Sequence, residues 1–141
     1  MLTLALMLGT MASAVTPSIS PRSHCTAVDG DTLRCAPTRL SPRGELVRLL
    51  GIDAPEKNGR CRRGRICAPG DWRASRASLS AFVRSGSPVI LRVGTDRYGR
   101  TLAMVSVNGA DLSCWQLTRG HAIYKQQWDD GARVKRSCPA A

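Results

Sequence analysis

Several features that mark particular classes of protein are scarce in this sequence of 141 residues. Six residues are aromatic, three Trp, two Tyr and one Phe, so the core of a single small domain must be built from Leu, Val, Ile and Ala. The six cysteines never form a CxxC pair, and the two histidines, His24 and His121, lie far apart. This pattern disfavours a zinc site, whose ligands usually come in closely spaced pairs. The sequence has no internal repeat.

Acidic residues are also few. Lys and Arg together number 21 against 10 Asp and Glu, which gives a formal net charge of +11, and eighteen of the cations are Arg. The flat guanidinium fork matches phosphate oxygens in pairs, and nucleic-acid affinity comes largely from neutralised phosphates. The charge therefore favours DNA and/or RNA as partner, although codon usage that favours Arg would explain charge alone.

The N-terminus resembles a secretion signal. Residues 1–14 form a short apolar segment that closes on Ala12-Ser13-Ala14, as at a signal-peptide cleavage site, and the segment is too short and interrupted for a permanent membrane helix. No Lys or Arg precedes it, so the n-region lies upstream of Met1 or export is weak or absent; a buried helix is the alternative. We expect a disordered leader at 15–23, one domain at 24–141, and a secreted or periplasmic monomer without stable membrane association.

An even number of cysteines in a short chain indicates a disulfide framework formed in an oxidising compartment. Six cysteines allow 15 pairings. A hairpin turn at Asp29-Gly30-Asp31 would let Cys25 and Cys35 face each other. Cys61 and Cys67 share one Arg-rich loop and could close a small ring. This leaves Cys114 to pair with Cys138.

The hydrophobic pattern predicts five short strands, with one helix between the third and the fourth. The predicted strands are 24–28, 32–35, 46–52, 89–93 and 101–107, and the predicted helices start at the N-caps Asp71 and Asp111. This order is typical of an OB-fold barrel, a nucleic-acid-binding architecture. We further expect Trp72 and Trp115 in the core, a solvated basic loop at Arg60–Arg65, and no regular structure at Asp129–Ala141.

Three short segments combine charged residues with turn or strand signals. They are VDGDTL at 28–33, VRLLGIDAPE at 47–56 and DRYGRTLA at 96–103. Alone, each has an ordinary explanation as a hairpin turn, a strand exit or a charged turn. Arg48 has no such ordinary explanation, because a guanidinium inside an apolar strand is costly to bury unless an anion pairs with it.

Taken in this order, the three segments resemble the staphylococcal nuclease (thermonuclease-like) family, from about His24 to Tyr124. The resemblance implies a mainly β fold with minor α, a five-stranded OB-fold barrel with two or three helices packed against it. It also implies a calcium-dependent endonuclease that hydrolyses phosphodiester bonds and leaves 3′-phosphate ends. The family's functional positions fall on calcium ligands Asp31, Asp53 and the carbonyl of Ala54, catalytic residues Arg48, Glu56 and Arg100, and the nucleotide-contacting Tyr98.

The chemistry of these residue types agrees with that division. Calcium takes oxygen ligands, a carboxylate such as Glu56 can accept a proton from water, and arginines stabilise the charge that develops on phosphorus-bound oxygens. The best-known family member has threonine at the position of Ala54, where a backbone carbonyl suffices. The C-terminal part is short, whereas the family usually closes with another helix, and the Cys114–Cys138 pair would replace that packing.

Two other functions account for part of the sequence. A non-catalytic OB module would bind nucleic acid, but such modules usually lose the acidic residues that are present here. A secreted, basic, disulfide-stapled protein acting on membranes or anionic polysaccharide explains the charge and the cysteines. It leaves Arg48 and the paired carboxylates without a purpose.

Overall fold

The computed structural model describes residues 24–39 and 41–141, so the expected signal peptide and leader lie outside the described residues. The strands are β1 (Cys25–Ala27), β2 (Thr32–Cys35), β3 (Glu45–Leu49), β4 (Ile52–Asp53), β5 (Val89–Thr95), β6 (Thr101–Val107), β7 (Ala110–Asp111) and β8 (Ile123–Tyr124). The helices are α1 (Trp72–Arg84), α2 (Leu112–Thr118) and α3 (Arg133–Ser137), with 3₁₀ turns at Lys57–Gly59, Gln126–Trp128 and Asp130–Ala132. The described chain is mainly β with three helices.

The five longer strands form one curled sheet in the order β1-β2-β3-β6-β5. All neighbours are antiparallel except β3 and β6, which are parallel with Arg48 opposite Leu102. This is the strand order of an OB fold, and it confirms the fold class predicted from the sequence. Strand β7 pairs with β6, and β4 pairs with β8 in a separate two-stranded sheet.

The predicted strand 46–52 is wrong in one respect, because the chain leaves the main sheet at Gly51. Gly51 has φ +71°, a left-handed conformation that favours glycine. A Cβ there would also approach Val134 Cγ2 at 3.1 Å. The break divides the segment into β3 and β4, and it directs Asp53 towards the sheet edge formed with β8.

Both predicted helix starts are confirmed. The Asp71 carboxylate accepts a hydrogen bond from Arg73 N at 2.9 Å, and the Asp111 carboxylate accepts one from Cys114 N at 2.9 Å.

Trp115 is half-buried and stacks on Phe82 at 4.0 Å between ring centroids. Within the described part of the chain, no helix has the length and apolar character needed to cross a membrane. The largest fully buried apolar side chains are Leu33, Val47, Leu49, Leu50, Ile52, Leu79, Val105, Val107, Leu112 and Val134.

The C-terminal tail is ordered, which corrects the expectation for Asp129–Ala141. Asp129 is 6% exposed and accepts hydrogen bonds from Val134 N at 3.0 Å, Lys135 N at 2.9 Å and Tyr124 Oη at 2.8 Å. Burial opposes ionisation of Asp129, but these donors outweigh it and lower its pKa. One carboxylate thus fixes the start of α3, a role that its isolated position in the sequence does not indicate.

Three disulfides connect the six cysteines. The pairs are Cys25–Cys35, Cys61–Cys67 and Cys114–Cys138. The first joins β1 to β2 at directly opposite positions, and the third ties α2 to the end of α3. These are the pairings that the local argument from the sequence favoured.

Candidate active site

Asp31 ends the tight turn between β1 and β2 and is 7% exposed. Its Oδ1 accepts a hydrogen bond from Thr32 Oγ1 at 3.0 Å, and its Oδ2 accepts one from the backbone N of Ala54 at 2.8 Å. The first and second sequence motifs are therefore joined through a single carboxylate. The hydrogen bond from its backbone N also holds Ala54, whose carbonyl is a candidate calcium ligand, next to Asp31.

A buried polar network behind the turn sets its shape. Gly30 allows no side chain, because a Cβ would lie 1.8 Å from Ser75 Oγ on α1. Gln116 Nε2 on α2 donates to Gly30 O at 2.8 Å and to Ser75 O at 2.9 Å. Next to it, burial and then repulsion from Asp31 raise the pKa of Asp29 to about 6.

Arg48 has the anionic neighbours that its place in an apolar strand requires. It is 8% exposed, and its Nη2 lies 3.2 Å from Asp31 Oδ2 and 3.6 Å from Asp53 Oδ1. Its Nη1 donates to Leu49 O at 3.3 Å. The guanidinium also lies over the Trp128 ring, 5.5 Å from its centroid. Arg48 therefore pairs with two buried carboxylates at the floor of the site and offsets part of their charge.

Asp53 is the most deeply buried acid of the described site, at 1% exposure. Its Oδ1 contacts Arg65 Nη2 at 2.7 Å, whereas its Oδ2 is buried and has no hydrogen-bond partner among the described residues. Burial raises the pKa of the Asp53 carboxyl, with Arg65 opposing the rise and Asp31 adding to it. A buried oxygen without a partner costs about 1–3 kcal/mol, so this atom is suited to a cation ligand.

Glu56 lies in the segment that follows β4 and is half-buried, with 34% of its side chain exposed. Its Oε1 lies 2.8 Å from Arg65 Nη1. The expectation that Arg60–Arg65 is a solvated loop is therefore wrong for Arg65, which bridges Glu56 and Asp53. The sequence contains no signal for this contact, since Arg65 is one of four arginines in an irregular stretch.

The third motif forms a turn on the wall of the same cleft. Arg100 Nε donates to Asp96 Oδ2 at 2.7 Å, and the backbone N atoms of Tyr98 and Arg100 also donate to Asp96. Burial opposes ionisation of Asp96, but these donors lower its pKa. The Arg100 guanidinium carbon lies 5.5 Å from the Tyr98 ring centroid. Among the described contacts, Arg100 reaches none of the acids Asp31, Asp53 and Glu56.

The cleft has a volume of ≈ 1160 Å³ and brings all seven residues implied by the family resemblance to one surface. Sequence reasoning missed Arg65 and Trp128, which both face this cleft. Further cations around it are Lys57, Arg60, Arg62 and Arg97. A surface of this charge is suited to a phosphate backbone.

A metal would find oxygen donors here, but not a large cluster of them. Within residues 24–39 and 41–141, no group of three or more His, Cys, Asp or Glu side chains has the arrangement of a metal site. The donors at the floor are the carboxylates of Asp31 and Asp53 and the neighbouring Ala54 carbonyl. Calcium accepts such a mixed set, because backbone carbonyls and waters complete its shell, and the unpartnered Oδ2 of Asp53 fits one position.

Comparisons with known proteins agree with this geometry. A family model described as staphylococcal nuclease homologue matches residues 46–138, a span that contains Arg48, Asp53, Glu56 and Arg100. A protein of Haemophilus influenzae, named as an uncharacterized endonuclease, is 32% identical over 134 residues. That match covers 92% of this chain and 67% of the Haemophilus protein.

Proposed function

This chain belongs to the staphylococcal nuclease family of phosphodiester hydrolases, and we propose that it is a calcium-dependent endonuclease that cuts DNA and/or RNA. The observation that carries the proposal is the buried pair Asp31 and Asp53, because Oδ2 of Asp53 has no hydrogen-bond partner among the described residues. A bound cation accounts for a buried, unpaired oxygen at the floor of an arginine-lined cleft.

We assign the calcium ion to Asp31, Asp53 and the carbonyl of Ala54. When bound, calcium supplies Lewis-acid polarisation of a phosphate oxygen and orients water. The chain's own residues already limit the site, since Ala54 N and Thr32 Oγ1 hold the Asp31 carboxylate in one orientation. Arg48 and Arg65 offset the repulsion between the two acids.

The remaining residues would perform the hydrolysis. The oxygen of a water molecule bonds to phosphorus while Glu56 accepts a proton from that water. The bond from phosphorus to the 5′-oxygen breaks, and the 5′-oxygen takes a proton from solvent, so the products are a 3′-phosphate and a 5′-hydroxyl. Arg48 and Arg100 stabilise the negative charge of the phosphorane, since guanidinium groups keep their charge throughout. Tyr98, which is 61% exposed, is available to contact the nucleotide.

We also propose that the protein works as a monomer in a secreted or periplasmic setting. The three disulfides support an oxidising compartment. The net charge of +11 supports a nucleic-acid substrate that is engaged through its phosphates.

Digestion of plasmid DNA and of a single-stranded RNA by the oxidised protein tests the proposal. We expect cleavage with calcium, none with a calcium chelator, and 3′-phosphate ends that resist extension by a polymerase until a phosphatase removes them. Asp53→Asn should abolish cleavage, whereas Asp130→Asn, at a more exposed acid on the rim of the same cleft, should cut normally. A folded protein that shifts DNA on a gel but never cuts it would instead be a binding module.

A further inference from the structure

Arg65 lies across two acids that have different tasks in the proposed reaction. One nitrogen of its guanidinium is 2.7 Å from Asp53 and the other is 2.8 Å from Glu56. Asp53 is a proposed calcium ligand and Glu56 the proposed proton acceptor. One oxygen of each acid thus contacts the same side chain, which contributes one positive charge between them.

The loop that contains Arg65 is built around a small covalent ring. The Cys61–Cys67 disulfide closes a segment with a sequence separation of 6, and Arg65 N donates to Arg62 O at 3.1 Å within it. All residues from Lys57 to Gly64 are exposed, whereas Arg65 is half-buried. A ring of this size restricts the positions that Arg65 can reach.

Arg65 makes fewer contacts than an ion pair that serves only to stabilise the fold would make. Its Nε is buried and has no hydrogen-bond partner in the described part of the chain. Its guanidinium carbon lies 5.4 Å from the centroid of the half-exposed Trp128 ring, at the open side of the site. About a third of the side chain is exposed, so water and ions can reach the pair and compete with it.

We propose that Arg65 is a built-in competitor of the divalent cation, and that the Cys61–Cys67 ring fixes its strength. The inference rests on the calcium site proposed above. Calcium and the guanidinium of Arg65 are both cations drawn to Asp53, Arg65 at Oδ1 and calcium at the Oδ2 that has no partner among the described residues. Calcium binding therefore works against the positive charge that Arg65 already places beside this carboxylate, and the protein requires more calcium than its oxygen ligands alone would dictate.

Calcium titration of the oxidised protein by isothermal calorimetry, without nucleic acid, measures this competition directly. We expect Arg65→Gln to bind calcium about fivefold more tightly than the wild type, the effect of removing one partly exposed positive charge that pairs with Asp53. Arg62→Gln is the matched control, since Arg62 belongs to the same ring, lines the same cleft and forms none of the described ion pairs. Its calcium affinity should stay within about twofold of the wild type, because its charge is solvent-screened.

The contribution of the ring follows from a double-mutant cycle. Cys61→Ser combined with Cys67→Ser should tighten calcium binding in the wild-type background and change nothing further in the Arg65→Gln background. Equal tightening by Arg62→Gln and Arg65→Gln would overturn the inference, because total charge would then be the cause. Weaker binding by Arg65→Gln would also overturn it, since Arg65 would then support the site.

The same experiment separates this inference from the proposed function. If the wild type binds calcium and cuts DNA but Arg65→Gln has unchanged affinity, only the role of Arg65 fails. If no variant binds calcium and the wild type cuts nothing in its presence, the calcium site fails, and the inference fails with it.

Discussion

Replacing Arg48 with Gln should strongly destabilise the fold in the absence of calcium. Arg48 is 8% exposed and pairs with Asp31 and Asp53, which are themselves buried. Removing one partner of a buried ion pair costs about 3–5 kcal/mol, because the other charge stays buried without compensation. Arg65 remains in contact with Asp53, so we expect the free energy of unfolding to fall by about 3 kcal/mol, which corresponds to a fall in Tm of about 10 °C.

Urea unfolding of the oxidised protein, followed by circular dichroism, measures this loss. Arg34→Gln is the matched control, because Arg34 is an exposed arginine on the neighbouring strand and should change the free energy of unfolding by no more than about 0.5 kcal/mol. In an Asp31→Asn background the cost of Arg48→Gln should shrink by at least about 1 kcal/mol. A loss below about 1 kcal/mol, or the same loss in both backgrounds, would refute the pairing of Arg48 with the buried acids.

Three further predictions concern catalysis and the C-terminal tail. Glu56→Gln and Arg100→Ala should each lower the rate of DNA cleavage by at least about a hundredfold while DNA binding on a gel persists; near-normal cleavage by either would remove that residue from the mechanism. Asp129→Asn should destabilise the protein at pH 7, and the loss should shrink as pH falls below 3.8, since the lowered pKa of folded Asp129 gives stability that is present above the unfolded pKa of 3.8 and is lost as pH falls through the folded value; a loss in thermal melts that stays the same as pH falls would contradict this. Cys114→Ser with Cys138→Ser should cost about 3 kcal/mol in urea unfolding, the loop-closure effect of a separation of 24 residues, and an unchanged midpoint would show that the tail is held without the disulfide.

The sequence alone determined the elements whose signals are local. Asp71 and Asp111 are N-caps, and a cap depends only on the residues that follow it. The break at Gly51 escaped prediction, because a glycine within an apolar run gives no sign of the left-handed backbone that the tail requires there. The order of the tail escaped as well, since Asp129 stabilises α3 through donors that come together only in the folded chain.

The candidate site was likewise predictable from the sequence in part, and the rest of it was decided by the tertiary structure. The burial cost of a guanidinium requires an anion beside Arg48, and the apolar residues around it in the sequence were sufficient to predict one. Only the tertiary structure decided that the anions are Asp31 and Asp53, from two different motifs, and that one oxygen of Asp53 has no partner within the described part of the chain. It alone decided that Arg65, one charge among several in an irregular loop, lies across two acids, because that contact joins segments whose separation in the sequence encodes nothing about their distance.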